Sequence, residues 1–166
     1  MIRSVLVLLL AIVSFAPPGG APTRDQLIGT WKLVSAKITT DNGEVRDSWG
    51  PNPAGFLTYT ADGRVSAILT LSNRPPLSVS DFISAPAEER AAAFATMSAY
   101  AGKFDVNEGK VSHHVEVASM PNDVGSTLQR EIIQLTADRL VLRVAKPYLR
   151  GGMMVRSQEL TWERVK

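Results

Sequence analysis

The chain has 166 residues, 45% apolar and 20% charged, a balance that suits one globular domain. Its formal charge is +2, and the basic residues from Arg130 to Lys166 are interspersed with Glu131, Asp138, Glu159 and Glu163, so there is no basic stripe for nucleic acid. It has no cysteine, which excludes a disulfide framework, a thiolate metal site, a Cys nucleophile and a lipidated Cys behind any leader.

The N-terminus has the pattern of a secretory signal peptide. Met1-Ile2-Arg3-Ser4 is a short positive region, Val5 to Val13 is an unbroken apolar run, and Ser14-Phe15-Ala16 places small residues at cleavage spacing. The rival is an uncleaved anchor, but the run is shorter than the ~20 residues that cross a bilayer. Residues 1–21 are therefore expected to be the leader and the start of a Pro/Gly linker, and 22–166 the folded domain. The mature protein is expected to be periplasmic or secreted, with no stable membrane insertion after cleavage.

Arg24 to Ile28 suits one helical turn before Gly29. A strand runs from Trp31 to about Thr40, with Trp31, Leu33 and Ser35 predicted on one face and Lys32, Val34 and Ala36 on the other. Asp41-Asn42-Gly43 is a turn signal. Glu44 to Ala54 is a polar loop around Trp49-Gly50-Pro51-Asn52-Pro53, read either as a lid over an opening or as a loop that Trp49 anchors to the core. Gly55 to Thr60 and Arg64 to Leu71 form a hairpin across Ala61-Asp62-Gly63, with positive φ expected through Asp-Gly.

After the proline-bearing stretch Ser72 to Pro86, the period changes. Ala87 to Tyr100 is predicted helical, with Glu88 and Glu89 in the first turn, where they complement the helix dipole, and Phe94, Met97 and Tyr100 on one stripe. The last stretch of the chain reads as strands again: Tyr100 to Val106, Val111 to Val117, Thr127 to Leu135, Leu140 to Val144 and Met153 to Val165, with loops at Met120 to Gly125 and Pro147 to Gly152. Eight antiparallel strands with one apolar face each, plus one short helix, give an all-β fold. Closing the sheet removes its edges, and a barrel of about eight strands encloses room for side chains or one small ligand. A two-sheet sandwich is the alternative.

Several stretches in order resemble the bacterial and fungal lipocalin-like domain family, a distant architectural relative of lipocalins. They are Gly29-Thr30-Trp31 with Leu33-Val34-Ser35, Gly55 to Arg64, Tyr100-Ala101-Gly102-Lys103-Phe104, Val111 to Glu116, Pro121-Asn122, Gly125-Ser126-Thr127, Gln129-Arg130, and Leu160 to Arg164. Asn122-Asp123-Val124 departs from the pattern where an aromatic is expected. The resemblance implies an antiparallel, eight-stranded lipocalin-like barrel with a central cavity. It also implies that Trp31 sits at a closed end under Arg164 as a cation–π pair. The alternative leaves Arg164 an exposed terminal charge.

His113 and His114 are the only histidines and adjoin on a strand, so they point to opposite faces and do not readily share a metal. His113 lies with Val111 and Val115 on the more apolar face and is expected inside; His114 is expected outside. An interior His is either a hydrogen-bonded core group or a general acid or base. Arg130 shares a face with Leu128 and Ile132, but the opposite face is no less apolar. It is either an anchor for an acidic head group or a surface charge. Tyr59, Tyr100 and Phe104 are candidate cavity residues, each also readable as packing. No nucleophile elbow, phosphate loop, zinc helix or calcium loop is present, and no metal or cofactor is expected.

The expected function is an exported protein that binds a small, largely apolar or amphipathic ligand, with His113, Arg130, Tyr59, Tyr100 and Phe104 as contacts. The alternatives are a cofactor-independent isomerase, cyclase or dehydratase using His113 with a tyrosine, and a partner-binding module of the envelope.

Overall fold

The computed structural model describes residues 20–166; the predicted leader lies outside them, apart from the linker's last residues. In chain order the elements are α1 (Arg24–Leu27), β1 (Gly29–Thr40), β2 (Val45–Asp47), β3 (Ala54–Tyr59), β4 (Arg64–Thr70), α2 (Ala87–Ala95), β5 (Met97–Asn107), β6 (Lys110–Ala118), β7 (Thr127–Leu135), β8 (Arg139–Val144), β9 (Tyr148–Arg150) and β10 (Met153–Arg164).

Eight of the strands form a closed antiparallel ring in the order β1-β3-β4-β5-β6-β7-β8-β10, and β10 returns to β1 from Trp31↔Arg164 to Thr40↔Val155. That closure replaces the sandwich alternative. The eight match the predicted strands. The two extra strands, β2 and β9, are three-residue returns of hairpins on β1 and β10, within stretches predicted as loops. The β9–β10 turn is Gly151-Gly152, both at positive φ, where a side chain would be strained.

Strand direction assigns the ends. The connections β3–β4, β5–β6 and β7–β8 are short turns at one end, which also holds α1, the start of β1 and the end of β10. The long connections, including α2 and β9, gather at the other. The inward faces are filled by Trp31, Leu33, Leu57, Tyr59, Val65, Phe104, Val111, Leu140 and Trp162, all nearly inaccessible to water. Each fully buried Leu or Val contributes ~1.5–3 kcal/mol.

Four details differ from the sequence reading. A bulge against β10 between Leu33 and Ser35 shifts the alternation, so Ala36 and Ile38 are buried and Ser35 is not in line with Trp31. A second shift, between Ile132 and Gln134 against β8, breaks the plain alternation that would set Leu135 on the face opposite Arg130 and Ile132, and turns Leu135 inward. α2 stops at Ala95, and Met97 to Tyr100 are strand, because Met97 pairs with Thr70 and Tyr100 with Ala67. Sheet pairing outweighs the helix propensity of the Ala-rich run. In the β3–β4 turn only Gly63 takes positive φ; Asp62 does not.

The closed end is capped by Arg164. Its guanidinium lies 4.0 Å from the Trp31 ring centroid and donates to the carbonyls of Ala137 at 2.5 Å, Ile28 at 2.6 Å and Gln26 at 2.8 Å. Gly29 makes room for it, since a Cβ there would stand 2.6 Å from Arg164 Nη1. Trp31 Nε1 donates to Leu27 O at 2.8 Å, which ties α1 across the barrel floor. The expected Trp31–Arg164 pair is therefore present.

Candidate functional site

The inward side chains do not fill the barrel. A cavity of about 900 Å³ is lined by buried Leu57, His113, Leu142 and Trp162 at one extreme and by exposed Met120 and Leu149 at the other, so it runs from the core to the surface at the end opposite Arg164. Trp49 is buried in its wall with Arg150 Cζ 5.0 Å from its ring, so it anchors its loop rather than capping an opening. α2 has no buried residue and contributes nothing to the wall; it flanks the barrel.

Three strands bring a polar chain together beneath this cavity. Alternation along β3 turns Leu57 and Tyr59 inward while Phe56 stays exposed. The same rule buries His113 on β6 and leaves His114 outside, bonded to Asp105 at 2.5 Å and Thr127 at 3.1 Å. Unbroken alternation along β5 turns Tyr100 and Phe104 inward together, and the register shift opposite Ala101/Gly102 falls on β6. His113 then sits between two hydroxyls, with Nε2 2.8 Å from Tyr59 Oη and Nδ1 2.7 Å from Tyr100 Oη.

The predicted contacts divide into two layers. Tyr100, His113 and Arg130 are in the cavity wall. Tyr59 and Phe104 are not; they lie behind His113, packed ring to ring at 4.6 Å, with Arg24 Cζ 5.3 Å over Phe104. Neither ring reaches the space a ligand would occupy, because His113 stands in front of Tyr59 and the closed end covers Phe104. Their place is to hold His113.

Burial, followed by the positive charges of Arg130 and His114, lowers the His113 pKa to about 3. Its imidazole is therefore neutral at neutral pH, with one N–H and one lone pair. Burial also raises both tyrosine pKa values, so both phenols keep their protons. Hydrogen-bond satisfaction assigns the tautomer. Tyr59 is fully buried and has His113 Nε2 as its only hydroxyl partner among the described residues. If Nε2 carried the proton, the Tyr59 O–H would be left without an acceptor, at ~1–3 kcal/mol. Tyr59 therefore donates to Nε2, and Nδ1–H donates to Tyr100 Oη.

Arg130 faces inward because Leu128 and Arg130 pair with His113 and Val111 on β6 and share their side of the sheet. Its Nη1 donates to Gln129 O at 3.0 Å, and among the described residues no carboxylate lies within ion-pair distance of it. From Thr127 to Arg130, β7 pairs with β6 alone, and pairing with β8 begins only at Glu131. The cavity lining continues there onto Gln129 and Lys146, beside the open edge of β7.

The sequence reading missed a second polar group at the rim. Tyr148 donates to Gln158 Oε1 at 3.0 Å, and Gln158 Nε2 donates to Ser48 Oγ at 2.9 Å. The available signal was Gly151-Gly152, which makes Tyr148 to Val155 a hairpin and so aims Tyr148 at the barrel.

The sequence model of a family described as lipocalin-like domain matches residues 28–165. A relative from Aspergillus oryzae (strain ATCC 42149 / RIB 40), named 4'-hydroxy-3'-methoxypropiophenone carrier protein ppsC, is 33% identical over 93 residues, covering 51% of this chain and 82% of its own length. Among solved structures, a lipocalin-like protein from Bacteroides uniformis ATCC 8492 has a TM-score of 0.45 and 12% identity over 84% of this chain and 99% of its own. A biogenic amine-binding protein has a TM-score of 0.43 and 16% identity over 89% of this chain and 71% of its own.

Proposed function

The chain belongs to the lipocalin-like domain family, and from that premise we propose that it is an exported carrier that binds a small, largely apolar molecule inside the barrel. The cavity carries the proposal: about 900 Å³, reaching the surface, with an apolar part of Leu57, Leu69, Leu142, Leu160 and Trp162 beside polar and charged groups that include Tyr100, His113 and Arg130. Small-molecule sites have this size. The relative named as a carrier of 4'-hydroxy-3'-methoxypropiophenone supports a cargo of similar scale. Export rests on the Met1 to Ala16 pattern alone. A thermal-shift screen of apolar acids, ketones and lipids tests the binding. At least one class should raise the melting temperature, and a screen in which none does removes the carrier reading. Cell fractionation with N-terminal sequencing tests the export; a cytoplasmic chain that retains Met1 overturns it.

One observation favours a second reading. His113 and the Tyr100 hydroxyl share the cavity at 2.7 Å, the arrangement a cofactor-independent isomerase, cyclase or dehydratase would use. Against it, a group with a pKa of about 3 is a weak base at neutral pH, and Tyr100 is a weakened acid. Ligand recovered unchanged after prolonged incubation supports the carrier, and altered ligand supports the enzyme.

A further inference from the structure

The direction of the hydrogen bonds around His113 has a consequence for what the cavity accepts. Tyr59 O–H donates a hydrogen bond to Nε2, and Nδ1–H donates one to Tyr100 Oη, so the Tyr100 hydroxyl accepts its bond from the core and keeps its own O–H free to donate. Among the described residues that proton has no acceptor, and Tyr100 is part of the cavity wall. The relay therefore presents one O–H donor to the cavity, and it cannot reverse without stranding the buried Tyr59 hydroxyl. Bonds in such a chain polarise one another, which strengthens the terminal donor.

Positive charges outnumber negative ones in the wall. Lys110, Arg130, Arg143, Lys146 and Arg150 line the cavity against Asp123 and Glu131. Arg143 is taken by Glu159 at 2.6 Å, but the Arg130 guanidinium has only the neighbouring Gln129 carbonyl. A guanidinium on an apolar cavity wall is a ready partner for a ligand oxygen.

We infer, on the basis of the carrier reading, that the cavity selects molecules presenting a bare acceptor oxygen to Tyr100 and Arg130, as a ketone or a carboxylate does, and disfavours an ammonium group. A ketone oxygen accepts a hydrogen bond from the Tyr100 O–H. A carboxylate accepts the same hydrogen bond and meets the charge of Arg130 as well. An ammonium has no lone pair to accept the proton and meets the excess of positive charge. Asp123 pulls the other way, since its carboxylate is in the wall without an ion pair among the described residues.

Four probes with one aromatic body test this: 2-ethylnaphthalene, 2-acetylnaphthalene, 2-naphthoate and 2-naphthylmethylamine. Each competes with the neutral dye N-phenyl-1-naphthylamine at pH 7, using the whole chain. The ketone and the carboxylate should bind about ten-fold tighter than the hydrocarbon, the change one directed hydrogen bond brings. The amine should bind weakest. Tyr100→Phe should bring the ketone down to the hydrocarbon, and Arg130→Gln should weaken the carboxylate several-fold more than the ketone. Equal binding of ketone and hydrocarbon to the unaltered protein, or tightest binding of the amine, overturns the selection while leaving a carrier. If neither the dye nor any probe binds, the carrier reading itself fails. The ligand series on the unaltered protein decides the matter even if a variant does not fold.

Discussion

The two ends of the barrel use the same residue types to opposite purpose. At the closed end Arg164 spends its guanidinium on three backbone carbonyls and the face of Trp31, and the Trp31 N–H is met by Leu27. In the cavity wall Arg130 has one carbonyl, from its own neighbour, and the Trp162 N–H, at the cavity's deep extreme, is buried with no acceptor among the described residues. What separates a cap from a site here is the residual hydrogen-bonding capacity of the side chain. A polar group whose donors are all used holds the fold. One with donors to spare, beside empty volume, is available to a ligand.

The largest expected effect tests the closed end. Trp31→Ala removes a fully buried indole, the partner of Arg164 and the tie to α1. Large-to-small changes of this kind cost about 3–5 kcal/mol. Urea denaturation should show that loss, close to the total stability of many domains. A loss below about 1 kcal/mol would mean that the floor of the barrel is not what Trp31 supports.

Much of this division was legible in the sequence, and some was not. The ring strands were legible because each alternates between turn signals, and His113 was placed inside because Val111 and Val115 flank it. Arg130 was not, because Gln129, Glu131 and Ile133 are as apolar a face as its own; only its pairing with Val111 decides the matter. The bulges after Leu33 and Ile132 left no composition signal, since a bulge is a property of two strands rather than one. The layering of Tyr100 in front and Tyr59 behind depends on depth along the barrel, which alternation does not encode.

The next effect belongs to the boundary between the two regions. Because His113 has a folded pKa near 3 and about 6.5 when unfolded, the unfolded chain takes up a proton below pH 6.5 that the folded chain refuses. This contribution to stability is therefore complete above pH 6.5 and is lost as the pH falls towards 3, by roughly 1.4 kcal/mol per pH unit at the steepest. Denaturation at pH 7, 5.5 and 4.5 should show a slope that His113→Gln reduces, whatever that variant's stability at pH 7. Parallel curves for the two proteins would mean that the imidazole is not held neutral.

The two arginines give the most direct contrast. Arg164→Ala should cost about 2 kcal/mol, since it removes charge-assisted bonds to three carbonyls and the contact with Trp31. Arg130→Ala should stay within about 0.5 kcal/mol, because little in the protein depends on it. Ligand affinity should change in the reverse order. If both variants lose stability equally, Arg130 is a cap as well, and the free guanidinium on which acid recognition depends is not free.

The smallest expected effect is a gain. Glu108, exposed in the β5–β6 turn at the closed end, is the only non-glycine residue at positive φ among the described residues, at 48°, and Gly109 follows at 74°. The left-handed conformation crowds a long side chain, whereas Asn tolerates it and Asn-Gly is a favoured pair for a two-residue hairpin turn. Glu108→Asn should stabilise the protein by about 0.5 kcal/mol, read as a raised midpoint in urea with an unchanged slope. Lys110, two residues on, lines the cavity, but Glu108 is exposed and does not, so dye and ketone affinities should stay the same. A shift in affinity would show that the turn's backbone sets the position of Lys110 in the cavity wall, and the turn would then have to be counted with the receiving part of the barrel.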